Sequence, residues 1–186
     1  VVGGRRAVFL DRDGVINRSI MRAGKPTPPR AEAEFELLPG VPAAIAALRA
    51  AGWFTAIVTN QPDIATGKTT AAFVDWVHAR IQALAPVDAI LVCACVDGPD
   101  CPCYKPKPGM LLDAAAAHGL DLARSAMVGD RWRDVGAGRA AGCQTYFIDY
   151  GYGEAMPVAP DHVVADLAAA ARLILASNGV MNRASL

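Results

Sequence analysis

Short apolar runs alternate with longer amphipathic stretches along this chain. Ala7 to Leu10, Phe54 to Thr59, Ala89 to Cys93, Ser125 to Val128 and Gln144 to Ile148 have the length and composition of strands. Between them, apolar positions recur at helical spacing. Pro39-Gly40-Val41-Pro42 opens a helix with Val41, Ile45 and Leu48 on one face, and Gly52 ends it. A second helix carries Phe73, Val77, Ile81 and Leu84 on one stripe. A third follows Lys105-Pro106-Lys107-Pro108-Gly109-Met110 and runs to about His118. A small-residue helix covers about Asp134 to Ala141 and is closed by Gly142. The last carries Val164, Leu167, Ala171 and Ile174, and the tail from Ser177 reads as frayed. Residues 18–38 read as a polar, irregular loop stiffened by Pro26-Thr27-Pro28-Pro29. Strands alternating with helices predict an α/β fold, a Rossmann-like parallel sheet with helices on both faces. No internal repeat or linker interrupts the pattern, so the 186 residues are expected to form one domain.

The polar residues that end the strands carry the chemistry. Val8-Phe9-Leu10-Asp11-Arg12-Asp13-Gly14-Val15-Ile16-Asn17 is an apolar run that stops at two carboxylates one residue apart. A strand followed by an Asp-Gly turn has this pattern. So does an acid pair that holds Mg²⁺ at the carboxyl edge of a sheet, where like charges need a cation between them. Later strand ends bear on the choice: Thr59-Asn60, Lys105 and Asp130 fall just past them. Asp130 adds a third carboxylate for the cation, Thr59 a hydroxyl, and Lys105 a compact positive charge. Phosphoryl transfer through an aspartyl phosphate needs this set. Asp11 attacks phosphorus. Asp13 protonates the leaving oxygen and then deprotonates the water that cleaves the intermediate. Lys105, Thr59 and Mg²⁺ stabilise the equatorial oxygens. Asp134 either orients a metal-bound water or a neighbouring group, or is an acidic residue of a first helical turn. Candidates for touching the substrate are Asn60, Gln61, Tyr104, Arg131 and Arg18. Arg18, Arg22, Lys25 and Arg30 give the 18–38 loop a basic character that suits an anionic substrate, and it is expected to act as a flap.

Four of the five cysteines lie close together, at Cys93, Cys95, Cys101 and Cys103. Two C-x-C pairs separated by five residues can offer four thiolates tetrahedrally to Zn²⁺. Disulfides and free thiols are the alternatives. An all-cysteine site has no open position, so its zinc is expected to be structural, fixing the loop that delivers Lys105. Cys143 stands alone and reads as a small buried residue. Ala65-Thr66-Gly67-Lys68-Thr69 has a trace of a P-loop, but Pro62 holds the place of the required earlier glycine.

Composition narrows the class without choosing within it. At 53% hydrophobic and 19% charged, the chain is globular rather than disordered. Lys plus Arg equals Asp plus Glu at 18 each, which gives no general attraction to nucleic acid or membrane. No apolar stretch reaches the roughly 18 residues of a membrane helix. The first six residues have no apolar core, so no secretory signal is expected there. A cytoplasmic enzyme, monomeric or weakly oligomeric, is the expectation.

The sequence resembles the haloacid dehalogenase (HAD) superfamily of phosphatases over roughly residues 7–150. The resemblance rests on Asp11-Arg12-Asp13-Gly14-Val15-Ile16-Asn17, on Val58-Thr59-Asn60-Gln61, on the cysteine cluster running into Lys105-Pro106-Lys107-Pro108-Gly109-Met110, and on Val128-Gly129-Asp130-Arg131. Within the superfamily it is similar to the branch of the heptose bisphosphate and histidinol-phosphate phosphatases. The resemblance implies Asp11 as nucleophile and Asp13 as acid/base. It implies Mg²⁺ held by Asp11, the Asp13 main chain and Asp130, with Thr59 and Lys105 as phosphate stabilisers. It also implies a small phosphorylated sugar as substrate, heptose 1,7-bisphosphate first, with histidinol phosphate or another phosphomonoester as rivals. An inactive zinc-stabilised binding domain and a phosphotransferase are rivals of other kinds. Neither the 18–38 segment nor the cysteine loop is long enough for the cap domain many such enzymes insert, so an open site is expected. Two departures from the heptose branch stand out. Its zinc loop usually has a histidine where this chain has Cys95. It usually has an arginine before the motif lysine, where this chain has Tyr104, so either flap arginines replace it or the substrate differs.

Overall fold

The computed structural model describes residues 4–181, with side chains described to Ser177. The chain runs β1 (Ala7–Leu10), β2 (Ile20–Arg22), β3 (Lys25–Thr27), α1 (Val41–Ala50), β4 (Phe54–Asn60), α2 (Ala71–Leu84), β5 (Ala89–Cys93), α3 (Gly109–His118), β6 (Ala126–Gly129), α4 (Trp132–Ala141), β7 (Gln144–Ile148), β8 (His162–Val164) and α5 (Leu167–Met181). Six strands pair in parallel in the order β5-β4-β1-β6-β7-β8. β1 lies in the middle. The chain builds outward on one side through β4 and β5, then crosses back to build the other through β6, β7 and β8. The order therefore reverses at β1, which is where parallel α/β sheets leave a crevice at their carboxyl edge.

Alternation along each central strand makes two cores. Val8 and Leu10 of β1, Ile57 of β4 and Val128 of β6 pack with α1, α2 and α5. Ala7 and Phe9, Phe54, Ala56 and Val58, and Met127 pack on the opposite face with α3 and α4. Strands buried on both faces read as unbroken apolar runs, which is why β1 and β4 were legible without alternation. α2 begins where the Thr70 side chain accepts a hydrogen bond from Phe73 N, satisfying one open donor of the first turn.

The structure corrects five expectations. The 18–38 segment is not irregular throughout: β2 and β3 form an antiparallel hairpin, with Ala23 and Gly24 at positive φ (49° and 73°) in its two-residue turn. Three-residue strands with Lys25-Pro26 at their centre lack the periodicity that would reveal them in sequence. Val164 ends a sixth parallel strand rather than starting the last helix. Its three residues are too few to show a pattern. The buried stripe of α2 is Val74, Val77, His78 and Ile81; Phe73 is half-buried and Leu84 exposed. α4 starts at Trp132, and α5 continues through Ser177 to Met181, so the expected fraying there is not seen. The part of that tail from residue 182 onward lies outside the described residues.

Candidate active site

Strand register brings the motif residues together. Leu10 of β1 is level with Ile57 of β4 and with Val128 of β6. Asp11 and Asp130, just past β1 and β6, and Thr59, near the end of β4, thus lie together at the carboxyl edge of the sheet. Lys105 arrives from the loop before α3. Its ammonium is buried and donates to Asp11 Oδ1 at 2.7 Å, Asp134 Oδ1 at 2.6 Å and the Val58 carbonyl at 2.8 Å. All three of its N–H donors are placed. The lysine backbone is clamped as well: Lys105 N donates to Asn60 Oδ1 at 3.1 Å, and Asn60 Nδ2 donates to the Lys105 carbonyl at 3.2 Å. Asp134 joins two of the roles left open by its sequence position. Oδ2 accepts from Arg131 N at 3.0 Å, closing the first turn of α4, while Oδ1 orients Lys105.

Asp13 is held by groups that the motif alone does not single out. Arg12 is fully buried and forks onto it, with Nη2 at 2.8 Å from Oδ2 and Nε at 3.2 Å from Oδ1. Asn17 Nδ2 donates to Oδ1 at 2.9 Å and Gln61 Nε2 to Oδ2 at 2.8 Å. Gln61 Nε2 also donates to Thr59 Oγ1 at 2.8 Å. Behind Arg12, the buried His78 places Nε2 3.3 Å from Nη1. An arginine can only donate, so that nitrogen is the acceptor and the imidazole is neutral. Burial, then the Arg12 charge, lowers the His78 pKa to about 4.

Asp130 is the opposite case. Both of its oxygens are buried and neither has a hydrogen-bond partner of ordinary geometry; the Tyr152 hydroxyl comes near enough to act on its charge but not to satisfy it. Gly14, at φ 91°, passes so close that a Cβ there would stand 2.0 Å from Asp130 Oδ2. Carboxylate oxygens of Asp11, Asp130 and Asp134 all lie within 4.8 Å of one another. Asp134 is already engaged by Lys105 and Arg131 N, which leaves Asp130 and Asp11 to face a cation. The electrostatics agree. Burial raises the Asp130 pKa well above the carboxylate range, and the Asp11 and Asp134 charges add to it. Asp11 is pushed up to about 7 by burial, against the pull of Lys105, with the Asp134 and Asp13 charges pushing further. Burial works against the Lys105 charge, yet Asp11 and Asp134 hold its pKa above the ordinary value. One ammonium among these carboxylates does not neutralise them. An oxygen-lined site with surplus negative charge and an unsatisfied carboxylate fits a hard divalent cation.

The acids open into a cavity of about 240 Å³ lined also by Asn60, Tyr104, Arg131 and Arg133, and by Ser19, Pro26, Thr27 and Pro28 of the flap. Of the residues expected to touch substrate, Asn60, Tyr104 and Arg131 line it. Gln61 and Thr59 sit buried behind Asp13. Arg18 does not reach the cavity; it pairs with Glu36 at 2.6 Å on the surface. Arg22 pairs with Glu34, and Arg30 with Asp63 at 2.8 Å, which ties the flap to the loop after β4. The flap thus offers the cavity a serine, a threonine and two prolines, not its arginines.

Where β5 ends, Cys93 is level with Asn60 and starts the cysteine loop. The sulfurs of Cys93, Cys95, Cys101 and Cys103 lie within 4.8 Å of one another, none in a disulfide. Cys93 and Cys103 approach to 2.8 Å, Cys101 and Cys103 to 3.3 Å. Lys107 Nζ donates to the carbonyls of Gly98 and Cys101, and Gly109 N to Pro102 O at 3.2 Å. These contacts fasten the loop to the start of α3, immediately beside Lys105.

Two aspartates one residue apart, a buried lysine and a third buried aspartate, gathered at the switch point of a parallel sheet, form the arrangement of a HAD-type hydrolase. The family described as HAD-hydrolase-like matches residues 102–170. The chain is 35% identical over 193 residues to the D-glycero-D-manno-heptose-1,7-bisphosphate 7-phosphatase of Thermosynechococcus vestitus, covering 91% of this chain and 95% of that protein. It is 37% identical over 182 residues to the D-glycero-beta-D-manno-heptose-1,7-bisphosphate 7-phosphatase of Bordetella bronchiseptica, covering 91% and 98%. The crystal structure of D,D-heptose 1,7-bisphosphate phosphatase from B. bronchiseptica, complexed with magnesium and phosphate, superposes with a TM-score of 0.79 at 33% identity over 92% of this chain and 99% of that one. The chain belongs to this family of HAD phosphatases, and it is a phosphoric monoester hydrolase.

Proposed function

We propose that the protein removes the C7 phosphate of D-glycero-D-manno-heptose 1,7-bisphosphate, through a phosphoryl group carried on Asp11 with Mg²⁺ as cofactor. The observation that carries the reading is the pairing of Lys105 with Asp11 beside an Asp130 that has no hydrogen bond of ordinary geometry. The names of the relatives choose the substrate. Asp11 and Asp130, with the Asp13 main chain, are the groups that would hold the metal. When bound, Mg²⁺ supplies the positive charge that lets an anionic carboxylate approach an anionic phosphate.

The chain's own residues do the rest. Lys105 fixes one Asp11 oxygen, and Asp134 and Asn60 fix Lys105. An Asp11 oxygen bonds to phosphorus as the phosphorus–oxygen bond to the sugar breaks, and the departing oxygen takes a proton from Asp13. Asp13 then takes a proton from water, whose oxygen displaces Asp11 and releases inorganic phosphate. Arg12, Asn17 and Gln61 keep the Asp13 carboxyl aimed through both steps. Lys105 and Thr59 stabilise the charge on the transferred group.

The four thiols suit one structural Zn²⁺, since all lie within 4.8 Å and leave no open ligand position. Unpaired cysteines also suit a reducing compartment, and we place the enzyme in the cytoplasm. We take it to work as a monomer or weak oligomer, as one domain without a cap, and without nucleic acid or membrane, consistent with its balanced charge.

A phosphate-release screen over sugar phosphates and bisphosphates tests the reading. Turnover of the heptose bisphosphate that EDTA abolishes and Mg²⁺ restores is expected. Asp11→Asn should cost at least about 10³-fold in kcat with the fold intact. No release from any phosphomonoester, or retained activity in Asp11→Asn, sinks it.

A further inference from the structure

A sugar bisphosphate brings two dianionic groups, and the reacting phosphate occupies Lys105 and the acid cluster. The second needs its own cation, best a guanidinium, which meets phosphate with two parallel hydrogen bonds. Most arginines around the cavity are already neutralised. Arg18 is forked onto Glu36 at 2.6 and 2.9 Å, Arg22 onto Glu34, and Arg131 onto Glu154. Arg30 pairs with Asp63 at 2.8 Å.

Arg133 differs. It is the second residue of α4 and lines the same cavity as Asp11, Lys105 and Asp130. Among the described residues its one carboxylate contact is Nη2 to Asp97 Oδ2 at 3.4 Å, a long contact to a side chain 54% exposed. Its Nε is buried with no hydrogen-bond partner. The guanidinium lies 4.7 Å from the Trp132 ring centroid and 5.7 Å from that of Tyr104. Aromatic contact of this kind holds the position of the cation and leaves its N–H edge free to donate. Tyr104 precedes Lys105 and carries no charge itself.

We propose that Arg133 binds the second phosphate of the substrate, the one that is not transferred, with the Tyr104 and Trp132 rings as its platform. This rests on the bisphosphate reading above. A phosphate oxygen satisfies the unpartnered Nε, and a long, exposed contact to Asp97 is cheap to give up. Arg133 is thereby a specificity residue that touches substrate away from the reacting phosphorus.

The Mg²⁺-loaded enzyme is assayed on heptose 1,7-bisphosphate and on heptose 7-phosphate, which lacks the C1 phosphate. Both substrates are run on one preparation, so any loss of folded enzyme cancels in the ratio of their kcat/KM values. Arg133→Gln should lower the bisphosphate-to-monophosphate ratio about 10- to 100-fold, chiefly through KM for the bisphosphate. Arg133→Lys should fall between. Adding Tyr104→Arg to Arg133→Gln should restore part of the ratio. An unchanged ratio in Arg133→Gln overturns the role of Arg133 while leaving the bisphosphate reading standing. A wild-type ratio near one, or turnover of neither compound, overturns the bisphosphate reading and the subsite with it.

Discussion

At the scale of single residues, the site is built by opposite treatments of like groups. Asp13 is surrounded by donors from Arg12, Asn17 and Gln61, whereas Asp130 has no hydrogen bond of ordinary geometry, only the nearby Tyr152 hydroxyl. In the proposed mechanism the first is aimed for proton transfer and the second is left for a cation. Behind Asp13 stands His78, neutral because burial and the Arg12 charge lower its pKa to about 4. An unfolded histidine titrates near 6.5. Between those values the unfolded chain binds the proton that the folded chain refuses, so stability falls as the pH drops from about 6.5 toward 4. In His78→Gln this contribution vanishes. Urea midpoints measured from pH 7 to pH 4.5 should fall less steeply than in the wild type, by roughly 2 kcal/mol at pH 5. Parallel pH curves for the two proteins would show that His78 does not titrate on unfolding. Asp11, Asp13 and Asp130 are visible in the sequence because each sits just past a strand, and Lys105 because it follows the cysteine cluster just ahead of a helix. Arg12 and Asn17 lie inside the same motif, but nothing in their spacing says which way they point. His78 and Arg133 lie on helices, with no local signal of a partner.

At the scale of elements, the loop from β5 to α3 is the one whose geometry the chain cannot hold by packing alone. It has no helix or strand, and apart from Val96 and Tyr104 its residues are small, polar or proline. The four sulfurs and the Lys107 contacts to Gly98 and Cys101 bind it into one knot beside Lys105. If zinc closes that knot, protein purified without added metal carries about one Zn per chain. Removing it with a strong chelator should lower Tm by several degrees and kcat more than KM, because Lys105 loses its fixed approach. Elemental analysis with thiol titration checks this; paired disulfides without metal would refute it. The flap behaves differently from its sequence. Its basic residues suggest contact with an anion, but Glu34, Glu36 and Asp63 take up the three arginines. A charge seen in sequence has no partner until the fold supplies one.

At the scale of the whole molecule, the central sheet has two cores of unequal duty. One face packs α1, α2 and α5 and is remote from the cysteine loop. The other packs α3 and α4, the helices that follow Lys105 and Asp130, together with Cys93 and Cys101. Leu111 of α3 is fully buried in this second core. Leu111→Ala should destabilise the fold by about 2–5 kcal/mol through the cavity it leaves, read from denaturant midpoints. Because Lys105 is clamped by Asn60 and Asp134, kcat of the folded fraction should stay within about threefold of wild type. A much larger loss would mean that α3 packing, not the clamp, positions the lysine.

Local patterns in the chain were enough for the α/β architecture, five of the six parallel strands, the polar residues past β1, β4 and β6, and the grouping of four cysteines before Lys105. Those patterns are continuous apolar runs, helical spacing and close pairs of like residues. The short strands β2, β3 and β8 escaped because three residues carry no period. Tertiary structure alone decided which charges are neutralised. It gave Arg18, Arg22, Arg30 and Arg131 to carboxylates, left Arg133 nearly free, and left Asp130 without a hydrogen bond of ordinary geometry. Pairing of that kind joins residues far apart in the chain, and its energy depends on distance and burial, neither of which a one-dimensional pattern contains.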